Sequence, residues 1–375
     1  MRFLTYIILF TLVTGPSIAN AQNKGAKKVQ NVYKEYNLND SSKIGTHILV
    51  FKSDTVHYQK SFGFQDIENN IPFTENSLVG LGSLSKLYTS VAIFKLIEKG
   101  KIDLETKLGE IFSDIPAYCS EITIKNLLDH KSGLPLYNSS QKTKPKEHLK
   151  HNDIFAYLMQ NNELVFTPGE KSSYNQIDYA LLATVIEKAG KKSYEKFLKK
   201  YVFKPAKLKN TFVHPYNNEP LQAQSKRYYT NQGIVKEFTE NNNLSPMGFA
   251  RIYSSPKDFA KFLQALHNGK LISKEKLKET YIKAYFSNTT GPNLPRFSFS
   301  GINQEIYSIA YKTLGGNDDG YSVIMLRIPA DNINIVMFTN NIALFDMQRM
   351  IKSVSNAFSK VFLYVRPKNN IVSPR

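Results

Sequence analysis

Strand-forming sequence stands at both ends of this chain and helix-forming sequence stands between them, which leaves few architectures open. THILVFK (46–52) and TVHYQKSFGF (55–64) alternate in character across a turn at Ser53-Asp54. GIVKEF, RFSFSGI, EIYSIAYKT, GYSVIMLRIP and NINIVMFTN, all later in the chain, alternate or run apolar. The last two predict a hairpin across Ala330-Asp331. From Asp103 to Phe212 the pattern is mostly helical: DLETKLGEIF, TIKNLLDHK and YALLATVIEKAG, the last closed by Gly190. KSGLP (131–135) and TPGE (167–170) break this region as loops. A polar helix, KKVQNVYKEYN, precedes the first strand; DFAKFLQALHNG stops at Gly269; a last helix runs from Ala343 to Tyr364. The expected class is α+β: an antiparallel sheet with flanking helices, divided in sequence by a mainly helical insertion. A cleft between two such parts is where a small-molecule site is expected.

The first residues, MRFLTYIILFTLVTGPSIANAQ, carry a basic start at Arg2, an apolar core from Phe3 to Val13 and a small-x-small site at Ala19-Asn20-Ala21. This is the pattern of a secretory leader cleaved after Ala21, and its apolar part is too short to span a bilayer. The expectation is an exported protein, periplasmic or secreted, without stable membrane insertion. Cys119 is the one cysteine, so no internal disulfide can form and stability must come from packing. The formal charge is +18, from 49 Lys+Arg against 31 Asp+Glu. Export argues against nucleic acid as a partner; acidic envelope polymers fit a net positive field better. The lysines are scattered, and a Lys- and Asn-rich chain reads equally as codon bias.

The stretch GLGSLSKLYTSVAIFKLIEKG (80–100) is either a plain helix start or a reactive site. Ser83 before a helix reads first as an N-cap. A capping box would then place Glu or Gln three residues on, and the chain has Lys86 there. A cation in a helix's first turn opposes the macrodipole at a cost of about 0.3–1 kcal/mol. The residues that follow, LYTSVAIF, are apolar or small on almost every side, so the helix is buried and Lys86 with it. Burial and the helix N-terminus both push a lysine toward the neutral amine, which can accept a proton. Positions three apart share a helix face, so the amine of Lys86 can reach the hydroxyl of Ser83. A serine becomes a nucleophile when a base takes its proton, and Ser83 and Lys86 make such a pair. Ser85 lies off that face and is expected to hydrogen-bond locally.

On these residues the chain resembles the serine β-lactamase and penicillin-binding-protein superfamily, in the branch of class C β-lactamases, D,D-peptidases and related esterases. The resemblance runs from GLGSLSKLYTSVAIFKLIEKGKIDLETKLGEIF through ITIKNLLDHKSGLP and PGEKSSYNQIDYALLATVIEKAG to IPADNINIVMFTNN, roughly residues 44 to 341. It implies an acylated Ser83, with Lys86 as proton acceptor. It implies Tyr174, in a Tyr-x-Asn position after Pro168-Gly169, as the catalytic tyrosine, working as base or as acid to the leaving group. It implies no metal and no cofactor. The chain then divides into a leader (1–21), a polar segment (22–43), a serine hydrolase domain (44–365, with a helical subdomain at about 104–212) and a tail (366–375). Implied substrates are peptidoglycan stem peptides, β-lactams, small esters and D-amino-acid amides.

Two positions depart from the family pattern. The third residue of Tyr174-Asn175-Gln176 is Gln where the family has Asn, so Gln176 keeps the amide on a longer arm. The family's Lys-Thr-Gly or His-x-Gly strand aligns, through Gly320-Tyr321, with Leu314-Gly315-Gly316, which keeps glycine and lacks the cation or imidazole. Lys312 sits two residues early. Gly316 remains a substrate-binding candidate, and the backbone N–H groups of Asn317 and Ser83 are the expected oxyanion donors. A rival expectation is a catalytically weakened relative that binds cell-wall fragments without turnover; Gln176 and Leu314 favour it, the intact Ser83, Lys86 and Tyr174 oppose it. Glu147, His148, His151 and Asp153 have no HExxH partner and read as a solvated helix rather than a metal site. His130 reads as a structural hydrogen-bonder at a helix end, and Asp318-Asp319 as a turn.

Overall fold

The computed structural model describes residues 25–32, 44–52, 55–137, 151–215, 224–231, 234–239, 246–273, 307–310, 320–328, 333–341 and 347–359. The strand patterns at the two ends of the sequence meet in one sheet. Its strands are β1 (Thr46–Lys52), β2 (Thr55–Phe62), β3 (Tyr307–Ala310), β4 (Ser322–Ile328) and β5 (Ile333–Thr339), in the order β3-β4-β5-β1-β2. Every pair is antiparallel, and β1 lies against β5 in the register Thr46↔Thr339 to Lys52↔Ile333. Successive strand residues face opposite sides, and here both sides are covered. Ile48, Val50, Ile335 and Met337 pack with Val29 and Val354 from helices α1 (25–32) and α6 (Met347–Phe358). Leu49, Phe51, Val336 and Phe338 face the other way, into the core that holds the remaining helices. This is why β1 and β5 read as apolar runs rather than as clean alternation.

Four further helices matter for the site: α2 (Ser85–Glu98), α3 (Gln176–Gly190), α4 (Tyr194–Leu198) and α5 (Pro256–His267). Ser255 caps α5 by accepting from the Asp258 N–H at 3.2 Å, with Pro256 in the first turn where its missing N–H costs nothing. α2 is buried on almost every side, as its unbroken apolar and small composition requires. Tyr88 stacks on Phe262 of α5 at 4.0 Å between ring centroids, fastening α2 to the sheet layer. α2 and α3 run side by side in the same direction. Lys86 meets Tyr174 just ahead of α3, the Ser90 hydroxyl lies 3.3 Å from that of Tyr179, and Leu96 approaches Gly190.

Several expected elements take a different extent. DLETKLGEIF yields a helix over Leu108–Ile111 alone, and the last helix is described over Met347–Phe358 and stops there, its expected start at 343–346 lying outside the described residues. GIVKEF forms Ile234–Glu237, which pairs with Tyr228–Asn231 in a separate two-stranded ribbon instead of joining the main sheet. The leader, RFSFSGI and the two turns at 53–54 and 330–331 lie outside the described residues.

Candidate active site

A small second sheet sets the position of the nucleophile. Val79–Gly80 pairs with Ile252–Ser254, and the Leu81 N–H donates to the Ile252 carbonyl at 2.8 Å. Gly82 then takes φ +50°, a left-handed turn that glycine adopts without steric cost. A single 3-10 turn, Gly82–Leu84, leads into α2, whose cap is Leu84, with no capping side chain. Ser83 is therefore not an N-cap. Its hydroxyl is free for other bonds, and it is 5% exposed. The local bond expected of Ser85 is corrected: Ser85 Oγ accepts from the backbone N–H of Ile252 at 3.1 Å, joining the start of α2 to a strand far along the chain.

Lys86 and Ser83 meet at a third group. Ser83 Oγ lies 2.7 Å from the Tyr174 hydroxyl, and Lys86 Nζ lies 2.7 Å from that same oxygen. The direct Ser83–Lys86 contact expected from helix spacing is replaced by this Ser83–Tyr174–Lys86 chain. Lys86 is 2% exposed, with its Nζ over the rings of Tyr174 (4.8 Å), Phe249 (4.5 Å) and Tyr179 (5.7 Å). Burial holds the amine well below the ordinary lysine range. The rings favour the ammonium and partly oppose that shift, but the loss of water around a wholly buried charge is the larger effect. Phe249 is held over the amine by Gly248, whose φ is +84°; a Cβ there would come within 2.1 Å of the Tyr179 carbonyl oxygen.

The segment that carries Tyr174 is anchored on both sides. Asn175 is the N-cap of α3: its Oδ1 accepts from the N–H groups of Ile177 (3.3 Å) and Tyr137 (3.2 Å). Its Nδ2 donates to the carbonyls of Leu134 (3.1 Å) and Pro135 (2.9 Å), tying KSGLP to the tyrosine. His130 sits beneath, its ring 4.7 Å from that of Tyr174 and its carbonyl accepting from the Ser173 N–H at 2.8 Å. His130 Nδ1 is 2.8 Å from Asp178 Oδ2, and the Ser132 hydroxyl donates to Asp178 Oδ1 at 2.6 Å. Burial pushes the Asp178 carboxyl up, against the lowering effect of those hydrogen bonds. Asp178 was not among the predicted site residues; the signal was an acid inside an otherwise buried run, YNQIDYALLATVIE.

Of the predicted residues, Ser83, Lys86 and Tyr174 come together. Gln176 is the first residue of α3, and its Oε1 is buried with no hydrogen-bond partner among the described residues. Leu314, Gly316, Asn317, Lys312 and Asp318-Asp319 lie outside the described residues, as do the side chains of Glu147, His148, His151 and Asp153. The N-termini of α2 and α3 both open here, adding two positive helix ends to the surroundings of Ser83.

The sequence profile of the Beta-lactamase family matches residues 30–349. The chain is 28% identical over 334 residues to "Penicillin-binding protein 4*" of Bacillus subtilis (strain 168), covering 85% of this chain and 72% of that protein. It is 24% identical over 315 residues to "Protein flp" of Staphylococcus aureus (strain MRSA252), covering 82% of this chain and 61% of that longer protein. Among solved structures it is similar to the D-amino acid amidase of Ochrobactrum anthropi SV3, with a TM-score of 0.70 at 19% identity, covering 89% of this chain and 98% of that one.

Proposed function

Because this chain belongs to the Beta-lactamase family, we propose that it is an exported serine hydrolase that forms an acyl-enzyme on Ser83. One observation carries the reading: Ser83 Oγ, Tyr174 Oη and Lys86 Nζ form a chain of two 2.7 Å hydrogen bonds. As Ser83 Oγ bonds to the substrate carbonyl carbon, its proton passes to Tyr174 Oη while the tyrosine proton passes to the neutral amine of Lys86. The family resemblance assigns the oxyanion that forms to two backbone N–H groups, those of Ser83 and Asn317. The same chain returns the proton to the leaving group as the acyl carbon–leaving-group bond breaks. Water then repeats the route in reverse, and Ser83 is freed. The leader at 1–21 supports export, with cleavage after Ala21. The likeness to a D-amino acid amidase supports D-amino-acid amides as candidate substrates, beside peptidoglycan stem peptides, β-lactams and small esters.

The test is covalent labelling with a fluorophosphonate and with a fluorescent penicillin, followed by intact mass and peptide mapping. One adduct on Ser83, absent in Ser83→Ala, is the expected result. A chain that folds but takes no adduct from either reagent is a binding protein and not a hydrolase. An adduct elsewhere overturns the site.

A further inference from the structure

The lysines are scattered over most of the chain but gather in one stretch: eight lie between 191 and 209, all exposed, against a single acid, Glu195. They flank α4 and the π-helical turn Lys199–Phe203 that extends it, whose inward residues Phe197, Leu198, Val202 and Phe203 are buried. The apolar side fixes the helix to the core, so Lys192, Lys196, Lys199, Lys200 and Lys204 stand on its outer side. Among the described residues none of the eight pairs with a carboxylate. Elsewhere the chain does pair its lysines: half-buried Lys226 faces Asp66, Glu68 and Glu237, and exposed Lys257 faces Glu75. Lys99, just past the end of α2, joins the face through Tyr201; the Lys99 and Lys200 ammonium groups lie 4.7 and 5.2 Å from that ring. Like charges gathered this way repel one another, and among the described residues no carboxylate pairs with them.

The face has a fixed relation to the nucleophile. α2 and α3 both start at the Ser83–Tyr174 site and both end at these lysines, α2 at Glu98 and α3 at Gly190. At 1.5 Å per residue, helices of 14 and 15 residues put the face roughly 20 Å from the site. We infer that this lysine face docks the protein on an anionic phospholipid bilayer, holding the catalytic pocket on the side away from the membrane. This goes beyond the hydrolase reading and stands whether or not Ser83 is acylated. Charge complementarity argues for the occupant, since each lysine near an anionic leaflet adds to binding. The shape argues for a planar surface: a linear polyanion is tracked by a groove, whereas these lysines occupy the outside of a helix. The half-buried Tyr201 ring among them suits the headgroup level of an interface.

Sedimentation of the full chain with vesicles tests this, comparing pure phosphatidylcholine with a mixture containing one third phosphatidylglycerol, at low and high salt. Binding to the anionic vesicles alone is expected, with loss at about 0.5 M salt as the field is screened. Attachment through the apolar leader would instead appear on both vesicle types and would count against the inference. The variant Lys196→Gln, Lys199→Gln, Lys200→Gln and Lys204→Gln should bind anionic vesicles about tenfold or more weakly at unchanged Tm. Wild-type binding by that folded variant overturns the proposal. So does a chain that binds soluble inorganic polyphosphate through these lysines and ignores the vesicles.

Discussion

Lys86 is an amine with its water removed: it is 2% exposed, lies at the start of a helix and has no acid as a partner among the described residues. Its pKa is lowered by burial, so between that lowered value and the ordinary lysine range the unfolded chain binds a proton that the folded chain does not. Stability therefore rises with pH through that window. Lys86→Met removes this term, and melts at neutral pH should show a gain of about 1 kcal/mol, shrinking toward pH 10 as the unfolded lysine also loses its proton. A Lys86→Met gain that does not change with pH would mean the amine is charged in the fold. Both bonds of the site meet at the Tyr174 hydroxyl, so Tyr174→Phe should lower kcat/KM by about 10²–10⁴ while costing about 1 kcal/mol of stability. Turnover at the wild-type rate would make the tyrosine structural. His130 reaches the reaction only through others, as a positioning residue. It sits at φ +53°, a conformation that asparagine also tolerates. His130→Asn can keep a donor toward Asp178, whereas His130→Ala leaves that buried carboxylate short of a partner at a cost of about 1–3 kcal/mol. The alanine variant should lose stability and kcat together, and the asparagine variant should recover part of both. Equal behaviour of the two would place the effect outside the Asp178 bond.

At the scale of elements, the sequence made the buried helix and its lysine legible because they broke a rule: a cation stood where a helix start wants an acid. The long strands 46–52 and 333–339 were legible because apolar runs that short, bounded by turn residues, suit a sheet covered on both faces. What sequence could not give was the partner of each group. Ser85 bonds to Ile252, and Asp178 joins His130 and Ser132; these contacts follow from how α2, α3 and the 79–81 and 252–254 strands cross, which no local pattern records. Gly248 is a further case. In the sequence it is one glycine of 19, yet a Cβ there would meet the backbone of α3 at 2.1 Å. Gly248→Ala should cost more than about 2 kcal/mol and shift Phe249 off the Lys86 amine. Gly100, also at positive φ (+61°) but with open space where its Cβ would be, is the control: Gly100→Ala should cost about 1 kcal/mol by urea unfolding. If both variants lose the same amount, close approach to α3 is not what Gly248 is for.

At the scale of the whole molecule, global charge and local charge point in different directions. The chain carries +18, a field that speeds the approach of any anion. Yet Lys86, the cation that touches Tyr174, is buried and driven toward the neutral amine, and the sequence has Leu314 where the family resemblance implies Lys or His. A leucine cannot hold a substrate carboxylate, and a carboxylate stripped of water without a partner costs more than the bond it lost. The long-range field should therefore raise encounter with anionic substrates without improving their fit. Two rates separate these effects: kcat/KM for a neutral p-nitrophenyl ester and for a chromogenic cephalosporin, each across an ionic-strength series. The ester should be the better substrate, by about tenfold or more, and its rate should stay level as salt rises. The cephalosporin should be slow at every salt concentration and slower still at high salt, where the steering field is screened. Leu314→His should raise the cephalosporin rate and leave the ester nearly unchanged, because a neutral ester has no carboxylate for the new group to hold. Efficient, salt-insensitive cephalosporin hydrolysis by the unaltered chain would show that another cation, with Lys312 the first to test, already fills the position.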